Sequence, residues 1–139
     1  MNWKLIVQLS IFGLAMGIAT VFVIPSTIEP FCWLAIFVIS AYVIANRAPR
    51  LYFLHGLLVS MANSAWITSA HVLLFDSYVA RHPQEVEMMR SMPLAGTPRL
   101  LMGLTGPVIG IVSGIVLGLF AVLAHWLVAR GQPVPNQGG

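Results

Sequence analysis

Charge is scarce in this chain. Of 139 residues only 8% are Asp, Glu, Lys or Arg, and the four acidic ones, Glu29, Asp76, Glu85 and Glu87, are scattered along the sequence. They form no catalytic carboxylate pair, and none lies deep in an apolar run. No carboxylate falls within residues 5–24, the first apolar run, which excludes the proton-coupled exchange of small multidrug transporters. Cysteine is limited to Cys32, so an internal disulfide and the paired-thiol chemistry of membrane thiol oxidoreductases are excluded; the residue reads as a small buried hydrophobe. There is no serine with a base at fixed spacing, no phosphate loop and no zinc pattern, so the chain is read as non-enzymatic. The seven basic residues form no stripe interleaved with aromatics, which excludes nucleic acid as a partner.

Apolar residues fill the space that charge leaves. Hydrophobic residues make up 58% of the chain, and the mean hydropathy is +0.88. Several runs approach the length needed to cross a hydrocarbon core of roughly 30 Å. The expected fold class is an all-α integral membrane protein, a four-transmembrane-helix bundle forming a single membrane domain over residues 1–139. The spans are read at 5–24, 31–46, 51–75 and 100–129. Pro25 stops the first, and the proline-flanked turn Pro-Ser-Thr-Ile-Glu-Pro leads into the second. With only Lys4 as a basic start and no small-x-small cleavage pattern after it, the first span is expected to stay in the protein.

Residues 76–99 form the one sizeable loop. Within it Val86, Met89 and Met92 recur at helical spacing between Pro83 and Pro93, which predicts a short amphipathic extramembrane helix over 84–92. The tail, 130–139, has no apolar face and is expected to be flexible. Lys4, Arg47, Arg50 and Arg130 near the span ends, against Arg81, Arg90 and Arg99, place both termini in the cytoplasm of a plasma (inner) membrane and the 76–99 loop on its outer face.

Glycine is where the sequence is most patterned. Gly106, Gly110, Gly114 and Gly118 recur every fourth residue, with Ser113 widening the stripe. Positions four apart drift by only about 40° around a helix, so these glycines share one face and let another backbone come close. Gly13 and Gly17 carry a shorter version in the first span, which makes the first and fourth spans candidate mutual partners. The same face predicts a homo-oligomer or a subunit of a larger membrane complex, and hence an assembly, accessory or scaffold role. Pro107 removes one helical hydrogen bond in the stripe and reads as a kink.

The third span concentrates polar groups. At about 100° per residue, Gly56, Ser60, Asn63, Ser64, Thr68 and His71 fall within an arc of roughly 140°. A polar helix face in a bilayer must look inward, because an unpaired amide or imidazole facing lipid is costly. The face predicts interhelical hydrogen bonds, with Asn63 reaching a backbone carbonyl or hydroxyl. Alternatively it is the site of a small transporter, channel or redox anchor, centred on Asn63 with Trp66 beside it. No cofactor is predicted from this pattern, and two alternatives are kept. His55 and His125 sit at similar depth in antiparallel neighbours and could hold a b-type haem or a metal. His82, Met88, Met89 and Met92 combine imidazole with thioethers, a set that suits Cu(I).

Overall fold

The computed structural model describes residues 1–93 and 96–130. They form six helices: α1 (Trp3–Phe22), α2 (Glu29–Arg47), α3 (Tyr52–Leu73), α4 (Phe75–Val79), α5 (Pro83–Arg90) and α6 (Pro98–Arg130), with no strand among the described residues. Three of them, α1, α2 and α6, are long and apolar enough to cross a membrane. The helix α3 has the length, at 22 residues, but its serines, histidines and asparagine keep it below the apolarity of the others.

Helix ends follow local chemistry. The side chain of Asn2 accepts from the Leu5 amide at 3.1 Å and caps α1, whose first amides have no partner in the preceding turn. Pro30, Pro83 and Pro98 open α2, α5 and α6, where a missing N–H costs nothing. The helix α6 runs unbroken through Pro107.

The long helices run up and down, with α3 sandwiched between α1 and α6, and α2 packed on α6. Contacts between α1 and α3 join residues about fifty apart, from Asn2 and His55 through Gly13 and Asn63 to Thr20 and His71, so these two helices are parallel and in register. The pairing of α3 with α6 is antiparallel: Phe53 meets Gly118, Leu57 meets Gly114, Ser64 meets Gly110 and Thr68 meets Gly106.

Large apolar side chains point outward and small or polar ones inward. Val7, Ile11, Leu34, Val38, Ile111 and Leu119 are exposed, while Ser10, Thr20, Ser40, Ser60 and Asn63 are buried. Such a molecule buries what lipid cannot solvate and shows lipid what water would reject. At one end, Leu5, Leu9, Ala41, Ile44, Val59 and Leu117 form the apolar core. There α2 presents small residues and lies close to α6. Towards its start α2 carries Trp33 and Phe37 instead, and Phe37 meets Phe120 of α6 edge-on, with ring centroids 6.4 Å apart.

Three details differ from the sequence reading. The glycines of α1 and α6 do not face each other, since both sets meet α3. The loop helix is α5, ending at Arg90 so that Met92 lies beyond it, and a further short helix, α4, precedes it. Phe75 and Tyr78 give α4 its inward side, a signal too short to stand out against the preceding span. Of the expected flexible tail only Arg130, the last residue of α6, is described; 131–139 lie outside the described residues.

Candidate functional site

The polar face of α3 is shared between its two neighbours. Gly56, Ser60, Ser64 and Thr68 turn to α6. Ser113 spends its hydroxyl hydrogen on the Ile109 carbonyl at 2.6 Å, which leaves it to accept from Ser60 at 2.8 Å. Ser64 donates to the Gly106 carbonyl at 2.6 Å, beside Pro107. The glycine stripe of α6 is thus occupied within the monomer: a Cβ on Gly118, Gly114, Gly110 or Gly106 would collide with Phe53, Leu57, Ser64 or Thr68 respectively.

Asn63 and His71 turn to α1. The Oδ1 of Asn63 accepts from the Gly13 backbone N–H at 2.8 Å, a contact possible only because Gly13 has no side chain. The partner is a backbone N–H, where a carbonyl or hydroxyl was expected. The Nδ2 of Asn63 is buried with no hydrogen-bond partner. Gly17 lies against Ile67 and Ala70. The hydroxyl of Thr20 lies 2.8 Å from both the Met16 carbonyl and His71 Nε2. Its one hydrogen goes to the carbonyl, so His71 donates through Nε2.

Between α2 and α6, on the floor made by α3, lies a cavity of about 480 Å³. Its floor is Ser60, Asn63, Ile67, Thr68 and His71. Trp33 and Phe37 form one wall, and Leu101, Thr105, Ile109 and Ser113 the other. The α4–α5 segment closes one end with Tyr78, Glu85, Met88, Met89 and Met92, next to Glu29. This volume suits a small ligand, and the mixture of apolar walls with a few polar groups is what ligand sites share. A second hollow of about 580 Å³, on the other side of α3, is lined by Met61, Ala65, Val72 and Pro107. Of its three hydroxyl residues Ser64 is already engaged with Gly106, and neither Thr68 nor Ser69 carries a buried polar atom without a partner.

The closed end has unusual polarity. Tyr78 stacks between His71 and His82, with ring centroids 4.2 Å apart on each side. Burial pushes the Tyr78 phenol well above its ordinary range, and the negative charges of Glu85 and then Glu29 push it further. His82 donates through Nδ1 to the Tyr78 carbonyl at 2.9 Å, while its buried Nε2 has no partner. Glu85 Oε2 is also buried without a partner.

The remaining sequence candidates have other surroundings. Both nitrogens of His55 are engaged: Nε2 accepts from the Asn2 amide at 3.0 Å, and Nδ1 donates to the Leu51 carbonyl at 3.0 Å. An axial bond to haem or metal would have to break one of these. The ring of His125 is stacked on Tyr52 with centroids 3.9 Å apart. Of the copper set, Met88, Met89 and Met92 line the cavity whereas His82 is not part of its lining. No group of three or more His, Cys, Asp or Glu that could hold a metal occurs among the described residues. Trp66 is half exposed and donates to Ser10 Oγ at 3.3 Å, so Trp33 is the indole of the cavity. Sequence reasoning missed Trp33, Phe37, Glu29 and Glu85, which no motif joins; the one signal was the clustering of polar residues on α3 opposite them. Compared with protein families, curated proteins and solved structures, the chain matches none.

Proposed function

We propose that this chain is a four-span plasma-membrane protein, with both termini cytoplasmic and α3 as its third span, that binds a small amphiphilic molecule in the cavity between α2, α3 and α6. It acts as a carrier or sensor of that molecule, without catalysis. The observation that carries the reading is a cavity large enough for a ligand whose floor includes Asn63, a buried residue with its Nδ2 unpartnered. A buried donor left without an acceptor costs about 1–3 kcal/mol, and a ligand acceptor placed there would recover it. The hydroxyls of Ser60 and Thr68 beside it extend the polar floor.

An assembly or accessory role rested on a free glycine face. That face is filled by α3, so the glycines offer a partner no open surface, and the ligand reading is preferred. The test is native mass spectrometry of the chain extracted gently from its own membrane. A bound small molecule that is lost in Asn63→Leu and in Ile67→Trp, with helix content unchanged, supports the reading. A ligand-free chain held in a heteromeric complex contradicts it and returns the assembly role.

A further inference from the structure

The charge ledger of the closed end points to the class of ligand, an inference that rests on the cavity being a binding site. Asp76 takes Arg99 on both oxygens, at 3.2 and 3.1 Å, and Glu87 takes Arg90 at 3.3 Å. The third arginine of this segment, Arg81, donates to the Phe22 carbonyl at 2.6 Å. The other two carboxylates, Glu29 and Glu85, are the ones that line the cavity, and no ion pair among the described residues reaches either of them. Glu29 accepts only the Trp33 indole N–H, at 3.1 Å, and Glu85 Oε2 is buried with nothing to accept from. Lys4, Arg47, Arg50 and Arg130 sit at the start of α1, the end of α2, the turn into α3 and the end of α6, which is the opposite end of the bundle. Arg47 is 18 residues along α2 from Glu29, so that end is about 27 Å away.

Two carboxylates line one cavity, neither within ion-pair distance of a described basic side chain, which makes this end of the cavity acidic and suited to a cation. Beside them stand Trp33 and Phe37, in edge-to-face contact at 6.3 Å, and aromatic rings attract cations. Met88, Met89 and Met92 supply flexible, polarizable thioethers that adapt to varied apolar shapes. Asn63, independently, is a buried donor eight residues along α3 from His71, or about 12 Å into the cavity.

We propose that the cavity binds an organic cation on an apolar body, an amine or quaternary ammonium whose charge lies between Glu29 and Glu85. Its body lies along Trp33, Phe37 and Ile109, and an acceptor at its far end takes the hydrogen of Asn63 Nδ2.

The test uses the full chain in mild detergent and two ions of the same shape and opposite sign, tetraphenylphosphonium and tetraphenylborate. Binding is measured by equilibrium dialysis against protein-free micelles, for the wild type and for the double variant E29Q/E85Q. The expected result is that phosphonium binds more tightly than borate, and that the double variant loses phosphonium affinity by at least about tenfold while its borate binding does not fall. Circular dichroism of the variant checks its helix content, and the wild-type comparison of the two ions stands without any variant. Equal or tighter binding of borate, or unchanged phosphonium binding in E29Q/E85Q, overturns the cation inference and leaves the cavity as a site for neutral or anionic molecules. Binding of neither ion also overturns it, and the copurified mass then decides separately whether the cavity reading survives.

Discussion

A single amide, Asn63, joins the two halves of the account. Its oxygen is spent on Gly13 and its nitrogen is left for the cavity, so Asn63→Leu removes both a helix contact and a ligand contact. Hydrogen bonds between membrane helices contribute about 0.6 kcal/mol on average and up to about 1.7. The loss of stability on thermal unfolding in detergent should fall in that range, while ligand retention should be abolished. His55 shows how a residue that looks like a ligand can be structural. Its backbone N–H and its Nδ1 both donate to the Leu51 carbonyl at 3.0 Å. They hold Leu51 at φ 58°, a left-handed conformation that costs a leucine about 1–2 kcal/mol. Leu51→Asn, at an exposed position that tolerates this conformation better, should raise the unfolding temperature. From the sequence, His55 was legible as an interfacial histidine but not as the anchor of Asn2 and Leu51, because those contacts depend on a turn whose geometry no residue type announces.

Tyr78 provides the pH dependence at the same scale. Its folded phenol titrates above the ordinary 10.0, so the folded and unfolded chains hold the same proton below that value and this group adds no pH dependence there. Above pH 10 the unfolded phenol ionises and the folded one does not, so stability should fall as pH rises. Unfolding measured from pH 9 to 11 should show a steeper decline in the wild type than in Tyr78→Phe. Parallel curves would contradict the placement of this phenol against Glu85 and Glu29.

At the scale of the helix, α3 is the common partner and α6 supplies the seats. The fourfold spacing of Gly106 to Gly118 was plain in the sequence, and it pointed to a close helix contact. It could not say which helix fills the stripe, since a smooth face accepts any neighbour with side chains at similar spacing; α3 offers Phe53, Leu57, Ser64 and Thr68. Two glycines distinguish seating from mere abundance. A Cβ on Gly56 would lie 2.7 Å from the Gly118 backbone, which has no side chain to move aside, whereas Gly103 has nothing within 4 Å. Gly56→Ala should therefore destabilise the chain by about 1–3 kcal/mol. Gly103→Ala should be neutral or stabilising by up to about 1 kcal/mol through helix propensity. Equal effects in thermal unfolding would contradict the packing of α3 on α6.

For the whole molecule, composition and run length carried the class, and the three most apolar helices answer it. The cavity was not legible, because three helices build it: α2 buries the small Ser40, Ala41 and Ala45 in its second half and gives Trp33 and Phe37 to the cavity in its first, and the sequence does not say which residues of α3 and α6 they face. Half of the resulting site, Ser60, Asn63, Thr68 and His71, was visible as a polar face; the other half came from two helices with no polar pattern of their own. The proposed four-span arrangement predicts that cysteines introduced at Gln84 and at Arg50, in a Cys32→Ala background, react with a membrane-impermeant thiol reagent from opposite sides of intact cells. Both reacting from one side would remove α3 from the membrane.

Whether the space above Asn63 holds a ligand is read from the mass of the chain released from its native membrane under mild activation. A discrete excess mass is expected in the wild type, lost at higher collision energy and absent in Asn63→Leu and Ile67→Trp. A wild-type mass equal to that of the bare chain, from preparations that still retain annular lipid, would contradict the ligand reading.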